Sequence, residues 1–401
     1  MNEDRGIVII GGGFAGVAAA LQLKKRLKGK VKITLIDRNP YHLFTPSLYE
    51  VATSEEPQKN IAIPFNLIFT KGVQIIQNEV VSIDTKTKQI SLQDGLVVGY
   101  DYLLIAGGSE SAYMGIAGLQ EKSIGFKTLQ DALVIKEKIK NMCCEEGKCN
   151  RKVQVIIGGG GFAGTELAAE LLTYKDKIAK QNNLDRECLD LTIIQGSDKL
   201  LKELSEHVSV LAQKRLNYPN VHLAFGGHIK EVTDKEVLTD DGKSYPYQIL
   251  IWTGGVKPNH LATQSNLPVN DHGGILVDNF LQVQGVENVF AVGDIAGYVD
   301  PTTKEHAHTV AQVAEEQGHA AGENIARLIQ NKKMEEYKYR HWGYVVPLKG
   351  YFAVAELTGI HLDGFFGWIL QQLVFLRYLL GILPFWKAFT RFNKFEMEME
   401  K

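Results

Sequence analysis

The sequence predicts an α/β fold in which two similar parallel-sheet units are joined in one chain, and three observations support this prediction. An apolar strand, Ile7–Ile10, runs into the glycine turn Gly11–Gly16 and then into an apolar helix. The same pattern returns at residues 153–167 with the same Gly-Phe-Ala-Gly sequence. Each copy is followed by an apolar strand that ends in small residues, at 100–108 and 248–255. A strand, a glycine turn and a helix repeated in register indicate duplicated Rossmann-like units.

The first glycine turn predicts a dinucleotide site. Gly11 permits the tight turn, Gly13 lets the backbone approach a pyrophosphate, and Gly16 allows close packing of helix on strand. The helix that follows presents free amides and the positive end of its dipole to phosphates. Asp37 comes 21 residues after Gly16, at the end of the second predicted strand, where a carboxylate can bind ribose hydroxyls. The other predicted contacts around this turn are Gly12, Phe14, Ala15 and Arg38.

A second glycine turn implies a second nucleotide. Gly159, Gly161 and Gly164 repeat the spacing of the first turn. The pair therefore predicts a flavin dinucleotide, FAD, held by the first unit, and a nicotinamide dinucleotide, NADH, that visits the second. The second strand of this unit ends at Gln195 rather than at an acid, so it can bind a ribose hydroxyl without strongly repelling a 2′-phosphate. NADH is favoured with NADPH tolerated, and Gly254 at the end of a later strand is a further predicted contact.

Composition limits the functional class. The 401 residues are 45% hydrophobic and 22% charged, which is typical of a globular chain of two or three domains. The net charge of −2 gives no basic patch for nucleic acid, and no secretory signal precedes the first strand. An intracellular chain is expected, and no metal is predicted. The four cysteines, Cys143, Cys144, Cys149 and Cys188, are interpreted as free thiols. For the pair Cys149 and Cys188, each of which precedes a predicted strand, a disulfide or metal site is the less favoured alternative.

Further candidate contacts with the flavin lie where predicted strands end, because ligands of open α/β sheets bind at that edge. The loop after the second strand contains Thr45 and Pro46, and a strand predicted over 74–84 contains Val80. A strand that ends in Asp294 returns the chain to the first unit and places a carboxylate where the ribityl hydroxyls would lie; a turn aspartate is the structural alternative. The remaining candidates are Ala106, Gly107, Ala311, Gln312 and Lys349.

Three segments give the sequence a more specific resemblance. Residues 41–46, 164–166 and 311–316 resemble motifs of the type II NADH:quinone oxidoreductases, the non-proton-pumping alternative NADH dehydrogenases of the two-dinucleotide-binding-domain flavoprotein superfamily. The resemblance implies that Ala311 and Gln312 lie against the flavin ring and that Glu166 helps to deliver protons. Glu316 stands where the family has a quinone-facing glutamine, and Gln317 follows it. An acidic proton donor to the quinone is one interpretation of Glu316, and a solvated helix charge is the other.

The C-terminal segment predicts contact with a membrane surface. An apolar run from Gly364 ends at Arg377, which makes it too short to span a bilayer. After Pro384, aromatic and basic residues recur on opposite sides of a predicted amphipathic helix, as expected of a helix lying in the interface; they are Phe385, Phe389 and Phe392 against Lys387, Arg391 and Lys394. Packing on the protein itself or on a second subunit is the alternative. The resemblance implies a homodimer docked through this region, peripheral to the cytoplasmic face of the cell membrane.

The predicted architecture is glutathione-reductase-like: two Rossmann-like dinucleotide-binding domains with a C-terminal amphipathic-helix membrane-docking region. The predicted boundaries are residues 1–112 and 258–335 for the two parts of the FAD-binding domain, 113–257 for the NADH-binding domain, and 336–401 for the docking region. The predicted activity is hydride transfer from NADH to FAD and electron transfer to a membrane quinone, without proton pumping. The alternatives are a sulfide:quinone oxidoreductase and a soluble NAD(P)H-dependent ferredoxin or disulfide reductase. The former needs a reactive cysteine late in the chain, and none follows Cys188.

Overall fold

The computed structural model describes residues 6–53, 61–144, 152–182 and 189–399. Its strands are β1 (Ile7–Ile10), β2 (Ile33–Asp37), β3 (Tyr41–Leu43), β4 (Ala62–Pro64), β5 (Gln74–Gln77), β6 (Val80–Asp84), β7 (Gln89–Leu92), β8 (Val97–Gly99), β9 (Tyr102–Ile105), β10 (Ser109–Ser111), β11 (Ile124–Gly125), β12 (Val153–Gly158), β13 (Leu189–Gln195), β14 (Val221–Phe225), β15 (Ile229–Val232), β16 (Glu236–Thr239), β17 (Ser244–Pro246), β18 (Ile249–Trp252), β19 (Val256–Pro258), β20 (Val289–Ala291), β21 (Gly343–Pro347), β22 (Ala353–Leu357) and β23 (Ile360–Leu362). Its helices are α1 (Phe14–Leu27), α2 (Leu48–Thr53), α3 (Phe65–Ile68), α4 (Leu119–Lys122), α5 (Leu129–Cys144), α6 (Phe162–Asn182), α7 (Glu206–Arg215), α8 (Leu261–Gln264), α9 (Ala311–Ile329), α10 (Gly364–Ile382) and α11 (Phe385–Met399), with 3₁₀ turns at Thr45–Ser47 and Gly293–Ile295.

The first sheet is parallel and is completed by a strand from late in the chain. Its order is β20-β9-β1-β2-β5, so β20 joins the edge formed by β9. The central strand β1 is buried on both faces, which explains its unbroken apolar sequence. On one face, α1 packs closely against α9, because glycines at 318 and 322 bring that helix against the backbone of Ala15 and Ala19. The return of the chain to the first unit is as the sequence predicts.

The second sheet repeats this arrangement. Its order is β11-β18-β12-β13-β14, and all of its pairs are parallel. The strand that precedes each glycine turn lies between the strand that follows it in the unit and the strand that ends in small residues. Strands β10 and β19 pair antiparallel where the chain passes between the two sheets. The predicted α/β fold class with two Rossmann-like units is therefore confirmed.

One predicted strand has different limits in the structure. The single strand predicted over 74–84 is two strands: β5 belongs to the first parallel sheet, and β6 belongs to the antiparallel sheet β6-β7-β8. The break falls at Asn78, whose amide donates to the Asp37 carbonyl and whose side chain accepts from the Glu79 amide, 2.8 Å away. Alternating sequence predicts extended backbone but does not show where a strand changes sheet.

The cysteine interpretations are only partly within the described residues. Cys143 is buried in α5. Cys149 and Cys188, the pair considered for a disulfide or metal site, lie outside the described residues. Among the residues that the structure describes, no group of histidine, cysteine and acidic side chains is arranged to hold a metal ion.

The C-terminal segment forms the antiparallel sheet β21-β22-β23 followed by α10 and α11. Helix α10 continues past Arg377 to Ile382, so it is longer than the apolar run suggested. By length and composition it could cross a membrane, although a third of its most apolar window is buried in the protein. Arg377 is accommodated by an ion pair with Glu315 of α9, with 3.3 Å between nitrogen and oxygen.

The predicted polar face of α11 needs one correction. Arg391 does not extend to a lipid headgroup: it packs against the protein and donates to the Ala62 carbonyl oxygen at 2.7 Å. Phe392 is likewise partly buried against the core, whereas Phe385, Trp386 and Phe389 are exposed. The aromatic and basic residues of α11 do lie on different sides of the helix, but one of the basic residues, Arg391, attaches the helix to β4.

Candidate functional site

A cavity of about 820 Å³ lies at the carboxyl ends of β1, β2 and β9. This is within the range of small-molecule and cofactor pockets, ~300–1,000 Å³. Thirteen of the predicted flavin contacts line it, and they are Gly11, Gly12, Gly13, Phe14, Ala15, Asp37, Arg38, Thr45, Val80, Ala106, Gly107, Asp294 and Ala311. Residues predicted from the ends of separate strands therefore line one cavity, and they come from three separate parts of the chain.

The first glycine turn has the form needed to hold a dinucleotide. Gly11 has a φ of +95°, and a Cβ there would lie 2.2 Å from the Ala106 carbonyl oxygen, so only glycine fits. A Cβ on Gly13, by contrast, would have no atom within 4 Å and would point into open space beside the start of α1. The Gly12 amide donates to Asp37 Oδ2 at 2.7 Å, which orients the carboxylate at the cavity wall. Burial raises the pKa of Asp37, while hydrogen bonds from the Asn39 and Gly12 amides oppose that rise.

The opposite side of the cavity is built around Asp294. Its Oδ2 accepts from Ser109 Oγ at 2.5 Å and lies 3.4 Å from Lys127 Nζ. The turn that carries it is held by Gln317, whose Oε1 accepts from the Gly293 amide at 2.7 Å. A cradle open at Gly13, with carboxylates for ribose and ribityl hydroxyls at its two ends, fits the chemistry of FAD.

Four predicted flavin contacts are not among the residues that line this cavity. Gly16 packs helix α1 against the Gly11 carbonyl, and Pro46 belongs to the 3₁₀ turn Thr45–Ser47. Gln312 points along α9 and donates to Glu316 Oε1 at 3.2 Å. Lys349 lies over the Tyr218 ring, with Nζ 3.6 Å from an oxygen of Asp176. The sequence analysis did not predict Ser109 and Lys127 as residues of this site. Ser109 could have been predicted, because it directly follows the small residues at the end of a strand.

The second glycine turn is built like the first, with an amide in place of the acid. The Gly160 amide donates to Gln195 Oε1 at 2.8 Å, as Gly12 donates to Asp37. Gln195 Nε2 donates to Ser197 Oγ at 2.7 Å, so both ends of this amide are fixed. Gly161 faces open space, whereas Gly164 lies against the Gly159 carbonyl and Gly159 lies against the backbone of Gly254.

A partly buried acidic seam runs along α6 from this second turn. Glu166 and Glu170, one helical turn apart, face Tyr49 and Glu50 of α2, and Gln371 Nε2 of α10 donates to Tyr49 Oη at 3.0 Å. Burial and the nearby Glu50 raise the pKa of Glu166 well above its ordinary value. Burial also raises the pKa of Glu170 to about 7, against the opposing effect of Lys349. The seam therefore favours the protonated form of both carboxyl groups relative to a carboxyl group in water.

The structure distinguishes the two residues at the end of the α9 motif. Gln317 is 2% exposed and supports the Asp294 turn. Glu316 accepts from Gln312 and, at 3.0 Å, from Trp342 Nε1, and it lines a second, open cavity of about 720 Å³. The Glu316 carboxylate therefore accepts two hydrogen bonds from protein side chains at the surface and is not a charge surrounded only by solvent.

Comparison with known proteins places the chain in a family. The family model described as pyridine nucleotide-disulphide oxidoreductase matches residues 5–318. The chain therefore belongs to the pyridine nucleotide-disulphide oxidoreductases.

Similar proteins narrow the comparison further. A type II NADH:quinone oxidoreductase from Staphylococcus aureus (strain NCTC 8325) is 26% identical over 380 residues, covering 91% of this chain and 92% of the relative. One of the same name from Haemophilus influenzae is 28% identical over 392 residues, covering 88% and 87%. These relatives confirm the resemblance drawn from the three sequence motifs.

Solved structures confirm the fold. NDH2 from Plasmodium falciparum, solved in complex with NADH, superposes with a TM-score of 0.86 at 19% identity, covering 99% of this chain and 98% of that one. A sulfide:quinone oxidoreductase from Aquifex aeolicus superposes with a TM-score of 0.77 at 20% identity, covering 96% and 92%. The same fold therefore occurs in two proteins with different names.

Proposed function

We propose that this protein is a type II NADH:quinone oxidoreductase, a flavoprotein that passes a hydride from NADH to FAD and two electrons on to a membrane quinone without pumping protons. The observation that carries the proposal is the pair of glycine turns, each with an oriented polar side chain at the end of the neighbouring strand. The names of the relatives from Staphylococcus aureus and Haemophilus influenzae support the same activity.

The first unit holds FAD through its glycine turn and the two carboxylates of the cavity. Asp37 binds the ribose hydroxyls, the amides at the start of α1 bind the pyrophosphate, and Asp294 binds the ribityl chain. Bound there, FAD supplies the two-electron chemistry. Ala311 at the start of α9 lines the cavity, and Ser109 and Lys127 fix the position of Asp294.

The second unit binds NADH and orients its nicotinamide toward the first. Gly159, Gly161 and Gly164 form the phosphate turn, Gln195 binds the adenosine ribose, and Gly254 closes the strand edge. The division into residues 1–112, 113–257, 258–335 and 336–401 follows from this assignment and is supported by the pairing of β10 with β19 at the crossing points. The main contribution of the polypeptide is to hold NADH and FAD in the relative position and orientation that hydride transfer needs.

Quinone reduction also needs protons. NADH gives up one hydride, and a quinol contains two electrons and two protons, so one proton must come from the medium for each turnover. Glu166 supplies it from the acidic seam, where burial and the nearby Glu50 raise the pKa of its carboxyl group and so favour its protonated form. Glu316, held by Gln312 and Trp342, is the proposed acidic group on the quinone side.

One series of measurements tests the activity. The purified protein should be yellow, NADH should bleach the bound flavin, and a short-chain quinone should restore the colour. In sealed vesicles, NADH oxidation by quinone should consume protons without translocating them. Colourless protein, flavin that sulfide bleaches but NADH does not, or reduced flavin that quinone does not reoxidise would each reject the proposal.

The exposed apolar residues of α10 and α11 form the proposed membrane-docking surface, which we define as Phe365, Phe366, Leu373, Val374, Leu380, Phe385, Trp386 and Phe389. Aromatic residues that recur on the exposed side of neighbouring helices are typical of interfacial binding. Docking through this surface gives access to a quinone dissolved in lipid and places the protein at the cytoplasmic face of the cell membrane. A homodimer through the same region is part of the proposal.

Replacing Trp386 with aspartate should weaken membrane binding at least tenfold. The indole is 78% exposed, so the change removes an interfacial aromatic residue while disturbing little of the packing. Sedimentation with lipid vesicles measures the effect. Leu96→Asp, at a residue 49% exposed in the turn between β7 and β8, is the control and should bind vesicles normally. Equal loss in both variants would contradict the assigned surface.

Replacing Gln195 with glutamate should sharpen the preference for NADH. A carboxylate there would still accept from the Gly160 amide, but it would repel a 2′-phosphate, and a like-charge contact costs a few kcal/mol. The NADH-to-NADPH ratio of kcat/KM should rise about 100-fold. Gln248→Glu is the matched control, because Gln248 also accepts from a backbone amide, that of Gln154, but lies away from the turn. If the NADH-to-NADPH ratio of kcat/KM did not change, Gln195 would not be a residue of the ribose site.

A further inference from the structure

A buried hydrogen-bond chain joins three segments that are distant in sequence. His42 of β3 is fully buried, with Nδ1 3.0 Å from the Gly12 carbonyl oxygen and Nε2 2.7 Å from Tyr378 Oη. Gly12 belongs to the first glycine turn, and Tyr378 belongs to α10. One imidazole therefore connects the turn that receives the flavin phosphates to a C-terminal helix.

Each hydrogen bond in this chain has a single direction. Burial lowers the pKa of His42 to about 4, so the ring is neutral and carries one proton. The Gly12 carbonyl can only accept, which places that proton on Nδ1 and leaves Nε2 as an acceptor. The phenol of Tyr378 must then donate, and burial raises its pKa well above the ordinary value, which keeps it protonated.

Aromatic packing makes the same connection. Phe14, the first residue of α1, lies edge-on to the His42 ring at 4.9 Å and also 4.9 Å from the Tyr378 ring. Phe44 packs on Phe375 of α10 at 4.7 Å. The start of α1 thus forms part of the surface on which α10 is seated.

The other side of α10 belongs to the membrane-docking surface. Leu373, Val374 and Leu380 are exposed, whereas Phe375, Tyr378 and Leu379 are buried. The same helix therefore presents one face to the glycine turn and another to the proposed lipid surface. A shift of α10 along or about its axis would break the Tyr378 hydrogen bond, because a donor must remain within hydrogen-bond distance of Nε2.

We propose that His42 and Tyr378 are positioning residues that couple FAD retention to membrane docking. FAD fixes the glycine turn, the fixed turn seats α10 through His42 and Tyr378, and the seated helix presents its docking face. Coupling between two binding events is reciprocal, so docking on a membrane must in turn strengthen retention of FAD. The inference rests on the proposed FAD site and docking surface but not on quinone as the acceptor.

The test uses Tyr378→Phe, which keeps the ring and removes only the hydroxyl group. The readout is the rate of FAD release from the full-length holoprotein, followed by the gain of flavin fluorescence on dilution. It is measured in detergent-free buffer and on vesicles of phosphatidylethanolamine and phosphatidylglycerol. Wild-type protein should release FAD several-fold more slowly on vesicles. The variant should release it about tenfold faster than wild type in buffer, as expected for one lost buried hydrogen bond, and should show little slowing on vesicles.

Two further variants separate positioning from a general loss of packing. Tyr351→Phe removes a hydroxyl from an exposed ring that packs on Trp368 of α10, and it should behave as wild type. His42→Asn keeps a donor near the Gly12 carbonyl but loses the acceptor for Tyr378, so it should reproduce the Tyr378→Phe effect. The double variant should then be little worse than either single variant, since both changes remove the same link.

Two results would overturn the coupling. One is vesicle slowing of FAD release that is equal in Tyr378→Phe and wild type, and the other is additive effects in the double variant. Failure of the proposed function is distinguishable, because FAD release and vesicle binding are measured without NADH or quinone. Protein that retains its flavin on vesicles but does not reduce quinone would reject the activity and leave the coupling standing.

Discussion

Glutamate in place of Gly13 is expected to give colourless protein, whereas glutamate in place of Gly161 is expected to give yellow protein that NADH does not bleach. A Cβ at either position has no atom within 4 Å, so a side chain can be built without a clash in the fold. It would occupy the space above the phosphate turn and place a carboxylate against phosphate groups. Steric exclusion together with like-charge repulsion should weaken binding of the respective nucleotide at least 100-fold.

The two variants assign each turn to its nucleotide. Flavin content is read from the visible spectrum, and the rate of flavin reduction is measured by rapid mixing with NADH. Gly381→Glu is the control, since Gly381 of α10 is also open to a side chain but lies far along the chain from both turns. It should keep its flavin and its rate of reduction by NADH. Loss of flavin in the Gly161 variant, with retention in the Gly13 variant, would reverse the assignment of the two units.

The fold could be predicted from the sequence because its main signals are local. A glycine turn, the strand before it and the acid or amide on the next strand lie within a short stretch, and Asp37 and Gln195 occupy equivalent positions in the structure. Asp294 could be placed for the same reason, since a strand end fixes which sheet edge its side chain occupies. Because the strand, glycine turn and helix occur twice in the chain, the second copy supports the prediction made from the first.

Residues whose roles depend on tertiary packing were harder to place. Glu50 and Tyr49 face Glu166 only because α2 packs against α6, and no periodicity connects those segments. Arg391 was assigned to the polar face of α11, but helix periodicity cannot show that this face meets the backbone of β4. Gln317 was within reach of the sequence: it shares a face of α9 with Val313, Ala314 and Ala321, which are all buried.

The acidic seam has a consequence for stability that the sequence alone does not indicate. The pKa of Glu170 is raised from its ordinary value of 4.5 to about 7, chiefly by burial. Between those two pH values the folded protein keeps a proton on Glu170 that the unfolded chain has already released. The stabilisation from this proton is fully present below pH 4.5 and is lost as the pH rises through about 7.

Replacing Glu170 with glutamine should remove this pH dependence. The variant should match wild type near pH 4.5 and exceed it above pH 7 by on the order of 3 kcal/mol in the free energy of unfolding, because each pKa unit corresponds to ~1.4 kcal/mol. Urea unfolding at pH 5 and pH 8 measures the difference. Glu206→Gln, at a side chain 74% exposed on α7, is the control and should show no comparable gain at pH 8. A neutral amide differs from a carboxyl group mainly when the carboxyl group is ionised. A gain in the free energy of unfolding that is equal at pH 5 and pH 8 would therefore mean that Glu170 is not the group that retains the proton.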